Sequence, residues 1–423
     1  MEFDFVKLEN LCTSHNKKRI PVSKIERQKL NKIYPYYGAQ GIIDYIDDYI
    51  FDGIYLLVAE DGANLIDRKE NIANIAEGKF WVNNHAHILG FDNLEDLYYI
   101  YYYLNFIDVS AYITGSAQPK LNNRNIMEIK IKWPVSNVRY KIIKILRSLD
   151  YKISINNKII KNLEAQAQAI FKSWFVDFEP FQDGNFVESE LGLIPEGWEV
   201  VKFGDLFKFQ KGKKPKDLLD YSTEESVPYI VKGVIDGSES PSYTLDEKII
   251  KIEDMDIFML MDGANAGNIY YGYNGALGST FSFINIDDLE YREFIYWFLK
   301  SNENYIRNQN TGSAIPHANK DFINNIRFAL PKNISKLNIL NYFKVIRTKV
   351  ITLKLENQTL AQTRDTLLPK LMSGEIDVSN IKIDDEDINY EWDISRRWIW
   401  KSIYRTYRGL RLYIYSPSRN TKG

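Results

Sequence analysis

The most regular feature of the chain is a spacing of apolar residues by alternating four and three. After Trp133-Pro134 it runs Ile142, Leu146, Leu149, Ile153, Asn156, Ile160, Leu163, Ala167, Ile170, Trp174. After Leu330-Pro331 it runs Ile339, Phe343, Ile346, Val350, Leu353, Asn357, Leu360, Arg364, Leu367, Leu371. A seam of this period lies along one side of an α-helix and fits the seam of a second helix, so both segments predict long coiled-coil helices. Each is expected to run for about 33 residues, or about 50 Å at the helical rise. Pro134 and Pro331 stand where a helix starts and a missing amide costs little, and Pro180 and Gly374 lie past the expected ends.

Laid antiparallel with their seams fully overlapped, the two helices set Asn156 opposite Asn357. A lone buried amide costs about 1–3 kcal/mol, whereas a matched pair removes most of that penalty and disfavours slipped registers. The pair is therefore expected to fix the register. The alternative is two independent surface asparagines on helices packed in another way.

The segments ahead of the helices are copies of one another. Asp61-Gly62-Ala63-Asn64 returns as Asp262-Gly263-Ala264-Asn265, and Thr114-Gly115-Ser116-Ala117 returns as Thr311-Gly312-Ser313-Ala314. Between them Leu94-Glu95 and Ile100-Tyr101 match Leu289-Glu290 and Ile295-Tyr296. The offset changes from block to block, so insertions fall between the matched segments, as they do between diverged copies of one domain. Each copy mixes strands and helices. The runs Ile257 to Met261, Asn268 to Tyr273 and Thr280 to Ile286 read as a meander, with Ile54 to Glu60 and Phe80 to Leu89 as counterparts. Leu94 to Tyr112 and Leu289 to Ile306 read as amphipathic helices packed on those strands. The connector from Val176 to Glu199 is punctuated by proline and glycine and reads as an extended crossing.

At 423 residues the chain has room for about three units. It holds no apolar run long enough to span a membrane, and its opening, Met1-Glu2-Phe3-Asp4, is acidic where a signal peptide is basic, so the cytoplasm is expected. Cys12 is the single cysteine, which excludes an intramolecular disulfide and a cysteine-based zinc cluster. The net charge of −2 gives no bulk argument for a nucleic-acid partner, so charge has to be read locally. His85 and His87 fall on one face of the expected strand, but their counterparts, Thr280 and Ser282, are not ligands, and no metal site is expected. Nucleotide-binding fingerprints and the Asn-Pro-Pro-aromatic or Asp-Pro-Pro-aromatic run of amino-methyltransferases are absent from the sequence.

The run Phe171-(x2)-Trp174-Phe175-Val176-Asp177-Phe178-Glu179-Pro180, then Ile194-Pro195-(x2)-Trp198, then a second copy ending in Leu367-Leu368-Pro369-Lys370-Leu371-Met372-Ser373-Gly374-Glu375-Ile376, resembles the specificity subunit of type I restriction-modification systems over roughly residues 5–378. The resemblance implies an α+β fold in which two similar α/β target recognition domains are separated by two long helices forming an antiparallel coiled coil, a pseudo-twofold internal repeat. On that plan residues 1–134 form the first recognition domain, 135–178 the central spacer helix, 179–331 the connector and second recognition domain, and 332–378 the C-terminal spacer helix. The resemblance further implies that each domain reads one half of a bipartite, asymmetric site on double-stranded DNA. The helices would set the gap and dock two methyltransferase subunits. S-adenosylmethionine would belong to those subunits and ATP and Mg to a restriction subunit, with no cofactor or membrane contact for this chain. The alternative is a coiled-coil scaffold whose globular ends bind proteins. Residues 379–423 depart from the family pattern; their acidic run, Asp384 to Asp387, and basic aromatic run, Arg396 to Lys401, receive no role.

Candidate phosphate contacts are Lys17, Lys18 and Arg19 in the first copy and Lys211, Lys213 and Lys214 in the second, at equivalent places after the first strand. A solvated basic loop is the plain alternative. In the Thr-Gly-Ser loops, glycine and proline are expected to serve the turn, while Gln118, Lys120, Asn122, Ser313, His317 and Asn319 are the candidates for DNA contact. Asn64 and Asn265 either hold a tight turn or offer an amide that can read adenine.

Overall fold

The structure, a computed structural model, describes residues 3–115, 118–286, 288–312, 314–334 and 337–381. Ser313 and the acidic and basic aromatic runs of the tail lie outside the described residues. The chain divides into two compact units, one of Met1–Ile153 with Thr359–Gly423, the other of Ser154–Gln358. Each combines one globular part with a stretch of both long helices.

Those helices are Ser136–Phe175, of 40 residues, and Ile339–Ser373, of 35. The first exceeds the length its seam predicts because its opening turns pack elsewhere, with Val138 buried in the core of the first globular part. The second stops at Gly374, whose φ of 84° serves as the left-handed helix terminator, and a Cβ there would strike the ring of Phe3. Lys132 Nζ covers the exposed helix end by donating to Ser373 O at 2.8 Å.

In the first unit, strand Phe3–Lys7 pairs antiparallel with Lys130–Pro134, Phe3 opposite Pro134. The globular part therefore begins and ends at one clasp and runs straight into the long helix. Inside it lies a six-stranded sheet in the order Thr13–Ser14, Ala86–Gly90, Phe51–Ala59, Ala73–Val82, Tyr34–Gly38, Gly41–Ile46. The expected single strand from Phe80 to Leu89 is two strands that flank Phe51–Ala59 on opposite sides, separated by a turn in which Asn83 Oδ1 accepts from the amide of His85 at 2.8 Å. His85 thus sits in the turn, and only His87 occupies the strand. Helix Leu94–Phe106 is capped by Asn93 and ends six residues before Tyr112, which belongs to a separate short turn.

The second unit repeats the clasp, with Trp198–Lys202 against Arg327–Pro331 and Trp198 opposite Pro331. Its strands form two four-stranded sheets rather than a simple meander. Gly275–Leu277 leaves to pair with Val227–Ile230, and Phe281–Ile286 returns beside Phe258–Leu260, which also pairs Ile269–Tyr270. Gly275 permits this crossing, since a Cβ there would collide with the carbonyl of Pro228. The expected helix from Leu289 to Ile306 is broken at Asn302, whose Nδ2 donates to Phe298 O at 2.8 Å and competes with the backbone ladder. The connector is not extended: it folds a hairpin, Phe186–Ser189 with Gly192–Pro195, and an aromatic cluster in which Phe175, Phe178 and Phe181 contact Trp198 at centroid distances of 5.9, 5.3 and 5.1 Å.

Within both units the long helices run antiparallel. In the first, Ile142 and Leu146 share a core with Leu371 and Met372, and Arg364 Nη1 bonds Asp150 Oδ1 at 2.7 Å. In the second, Phe171 meets Phe343 at 6.2 Å and Asn156 meets Asn357, so partners run in opposite order along the two chains. Asn156 is fully buried, and its Nδ2 donates to Asn357 Oδ1 and Glu356 Oε2, both at 2.9 Å. The amides do not satisfy each other reciprocally. Asn357 Nδ2 donates instead to Asn157 Oδ1 at 2.9 Å, and Asn156 Oδ1 is buried without a hydrogen-bond partner.

Candidate nucleic-acid interface

The two repeated motifs, far apart in sequence, meet in space in both copies. Thr114 and Lys120 close the first Thr-Gly-Ser loop by a two-way backbone bridge at 2.8 Å, and Thr311 with His317 closes the second at 2.9 and 2.7 Å. Each loop then bridges to the Asp-Gly-Ala-Asn segment, Asp61 to Lys120 and Asp262 to His317. Gly115 and Gly312 adopt φ of 87° and 91°, and a Cβ at either would collide with the carbonyl of Gln118 or Ile315. The glycines therefore serve the turn.

In the first copy Lys17, Lys18 and Gln118 are exposed, and Lys120 is exposed while its Nζ lies 3.3 Å from Glu60. Arg19 does not belong with them. Its Nη1 donates to Glu60 Oε2 at 2.6 Å and to the carbonyls of Ala86 and Asn84 at 2.9 and 3.1 Å, so it clasps the loop to the sheet rather than facing solvent. Burial raises the pKa of Glu60, but the hydrogen bond from Arg19, the neighbouring His87, the charge of Arg19 and the Lys120 ammonium together outweigh it and hold the carboxyl below its ordinary range.

Asn64 is likewise withdrawn from any base edge. It is buried, with Nδ2 donating to Glu70 O at 3.0 Å and Oδ1 accepting from Glu70 N at 2.9 Å, which ties the loop shut. Asn265 is half-buried, and its Oδ1 lies 3.5 Å from Arg307 Nη2, too long for a strong bond. Asn122 and Asn319 are N-caps of the short helices Asn123–Met127 and Lys320–Asn324, accepting from Asn125 N at 2.9 Å and Phe322 N at 3.0 Å. Their carbonyl oxygens are spent on the backbone.

In the second copy Lys211, Lys213, Lys214 and His317 are exposed. Gly212 explains the shape of the lysine loop, because it passes against the carbonyls of Leu277 and Gly278 where no side chain fits. Lys211 and His317, with Asp262, Ser282, Asn319 and Lys320, line an open cleft of about 470 Å³. His317 Nδ1 lies 2.7 Å from Asp262 Oδ1, as His85 Nδ1 lies 2.7 Å from Asp61 Oδ2 in the first copy. Ser282 Oγ is buried and has no hydrogen-bond partner.

Sequence reasoning missed what occupies the equivalent place in the first copy. His87 is fully buried there, its Nε2 2.6 Å from Leu121 O and its Nδ1 2.8 Å from Asn16 Nδ2. A carbonyl requires a donor and an amide nitrogen supplies one, so the ring is neutral with its proton on Nε2. Burial lowers its pKa, in accord with that tautomer. Asn16 Nδ2 also donates to Asn123 Oδ1 at 2.6 Å, and Ser14 Oγ to the same oxygen at 3.1 Å. The available signal was the pairing of His87 with Ser282 in the repeat. Among the described residues no group of three or more His, Cys, Asp or Glu is placed to hold a metal ion.

Two unlike α/β parts, each closed by a clasp onto the same pair of antiparallel helices and each displaying basic loops, define a duplicated recognition protein. Residues 1–165 and 195–362 match the family model of the type I restriction modification DNA specificity domain. The chain belongs to this family, the DNA sequence-specificity subunits of type I restriction-modification systems. It is 31% identical to the MjaVIII specificity subunit of Methanocaldococcus jannaschii over 199 residues, 46% of each chain, so that match spans about half of the relative. It is 28% identical to the MjaIX specificity subunit of the same organism over 308 residues, 67% of this chain and 70% of that one. Its fold is similar to the crystal structure of the type I restriction-modification S subunit from M. genitalium, with a TM-score of 0.52 at 17% identity, over 88% of this chain and 96% of that one. Among the described residues no helix is long and apolar enough to cross a membrane.

Proposed function

We propose that the chain is a non-catalytic reader whose two globular parts each recognise one half of a bipartite, asymmetric DNA site. The observation that carries this reading is the clasp, repeated in both copies, that joins each of two differently built sheets to the antiparallel helix pair. Parts with different sheets display different loops, and different loops read different base edges. The helix pair sets the gap between the half-sites, as subunit geometry sets half-site spacing in dimeric regulators. It also docks two methyltransferase subunits, which bring S-adenosylmethionine, and a restriction subunit bringing ATP and Mg joins where one exists. The absence of amino-methyltransferase and nucleotide-binding fingerprints from the sequence supports assigning catalysis to those partners. The complex works in the cytoplasm, where its DNA is.

The test replaces residues 1–134 with the corresponding part of a relative and maps methylated adenines genome-wide. One half of the methylated motif should change and the other half and the gap should stay. An unchanged motif would remove the reader assignment and favour a protein-binding scaffold.

A further inference from the structure

We infer that each long helix is built to pair with the other and not with a copy of itself, so that the two halves of the chain assemble only as unlike partners. The two seams correspond position for position: Asn156 of the first helix stands where the second has Leu353, and Asn357 of the second stands where the first has Ile160. Antiparallel pairing sets the fifth position of one seam against the sixth of the other. In the folded chain this brings Asn156 Nδ2 to Asn357 Oδ1 and Glu356 Oε2, both at 2.9 Å. Two first helices paired in the same register would set Asn156 against Ile160 and Ile159. Two second helices would set Asn357 against Leu353. The first self-pair faces the buried Asn156 amide with hydrocarbon in place of its polar partners, and the second takes Asn156 from half-buried Asn357 and sets Lys354 where Asn157 stood.

Charge acts in the same direction. Asp150 of the first helix accepts from Arg364 Nη1 of the second at 2.7 Å and from Tyr102 Oη at 2.6 Å. The first helix has Ala167 where the second has Arg364, so a first-helix self-pair deprives Asp150 of its cation. The second helix has Arg347, itself buried against Glu293, where the first has Asp150, so a second-helix self-pair takes the Asp150 carboxylate away from Arg364. Polar residues at single seam positions, and charges beside them, are the usual means by which helices select partner and register. The consequence, that the site read is always asymmetric, rests on the function proposed above. The pairing rule itself does not.

The rule is tested on the full chain, folded and then cut at a protease site inserted after Leu191 in the turn of the connector hairpin. The cut protein, with a different tag on each end, is unfolded in urea, refolded and examined by native mass spectrometry. Only first-with-second pairs are expected, whereas random re-pairing would leave half of the material in self-pairs. Self-pairs at that level overturn the inference. Asn156→Ile makes the first seam wholly apolar and should raise first-half self-pairs severalfold. Asn357→Leu should raise second-half self-pairs less, because Arg364 still lacks the Asp150 carboxylate there. If neither substitution raises them, the amides do not discriminate and the inference fails. Methylation mapping with the uncut chain reports on the bipartite reading separately.

Discussion

Arg347 and Glu293 form a buried ion pair, Nη1 to Oε1 at 3.1 Å, with the guanidinium fully enclosed between the rings of Tyr271 and Tyr296 at 4.8 and 4.6 Å. The pair joins the start of the second long helix to helix Arg292–Ser301, and Arg347 Nη2 also donates to Met255 O at 2.8 Å. Burial raises the pKa of Glu293 while Arg347 lowers it, so the carboxylate depends on its partner to stay charged. Arg347→Met is expected to destabilise the second unit by about 3–5 kcal/mol, because it strands a buried carboxylate. Adding Glu293→Leu should recover most of that loss in urea denaturation. A double variant as unstable as the single one would show that the charge pair is not the source of the cost.

Asn156→Leu removes the donor for both Asn357 and Glu356 and places a larger apolar side chain against them. The cost is expected to be about 1–3 kcal/mol, since Asn357 Oδ1 loses its bond inside the interface. Asn156→Leu with Asn357→Leu should regain stability, as an all-apolar seam does, while allowing alternative registers. Thermal unfolding measures the first effect, and disulfide trapping between cysteines placed along the two helices measures the second.

His87 makes the stability of the first unit depend on pH. Its folded pKa is lowered by burial, so the unfolded chain takes up a proton near its ordinary pKa of about 6.5 while the folded chain stays neutral. Stability from this group is complete above that pH and is lost as pH falls toward the folded pKa, with a slope of at most about 1.4 kcal/mol per unit. His87→Gln should flatten the decline in denaturation curves collected between about pH 7.5 and 5.5 (about one unit either side of the free imidazole). An unchanged slope would place the titrating group elsewhere.

Lysine and arginine in the reader loops should separate cleanly in DNA binding. Each of Lys211, Lys213 and Lys214 that meets a phosphate contributes about 0.9 to the slope of log affinity against log salt, without altering the motif. Replacing all three by alanine should therefore flatten the salt dependence of the assembled complex. Arg19→Ala should leave the slope alone and instead destabilise the first unit by about 1–3 kcal/mol, because Glu60 loses its closest partner. A flattened slope from Arg19→Ala would return that residue to the interface.

Much of the architecture was legible in the sequence because it rests on periodicity and repetition. A seam spaced four and three can be satisfied only by another seam, and the two asparagines can be placed opposite one another by counting along it. The duplicated motifs located the loops, and Pro134, the last residue of the first clasp, stands two residues before its helix, whereas the second helix begins only at Ile339, well past Pro331. The candidate contacts fared unevenly for a reason that spacing does not contain. Asparagine, arginine and lysine in a loop look alike in a sequence, and which of them faces solvent depends on what the fold sets beside them.

Tertiary structure made those choices. Arg19 met Glu60 and two carbonyls, Asn64 met the backbone of Glu70, and Asn122 and Asn319 met the first turns of short helices, so each was taken inward by unsatisfied polar groups. Lys17, Lys18, Lys211, Lys213 and Lys214 stayed exposed, and Lys120 stayed exposed while reaching Glu60. Buried His87 and its Asn16 partner in one copy, against Lys211 and Ser282 in the other, could not be read from either stretch alone, because strand pairing brings them together across the sheet. The sequence determined by itself that two long helices would pair with one another, since that information is local and periodic. Which side chains remain free to touch DNA was decided only by folding, since hydrogen-bonding demand in the interior is set by residues distant in the chain.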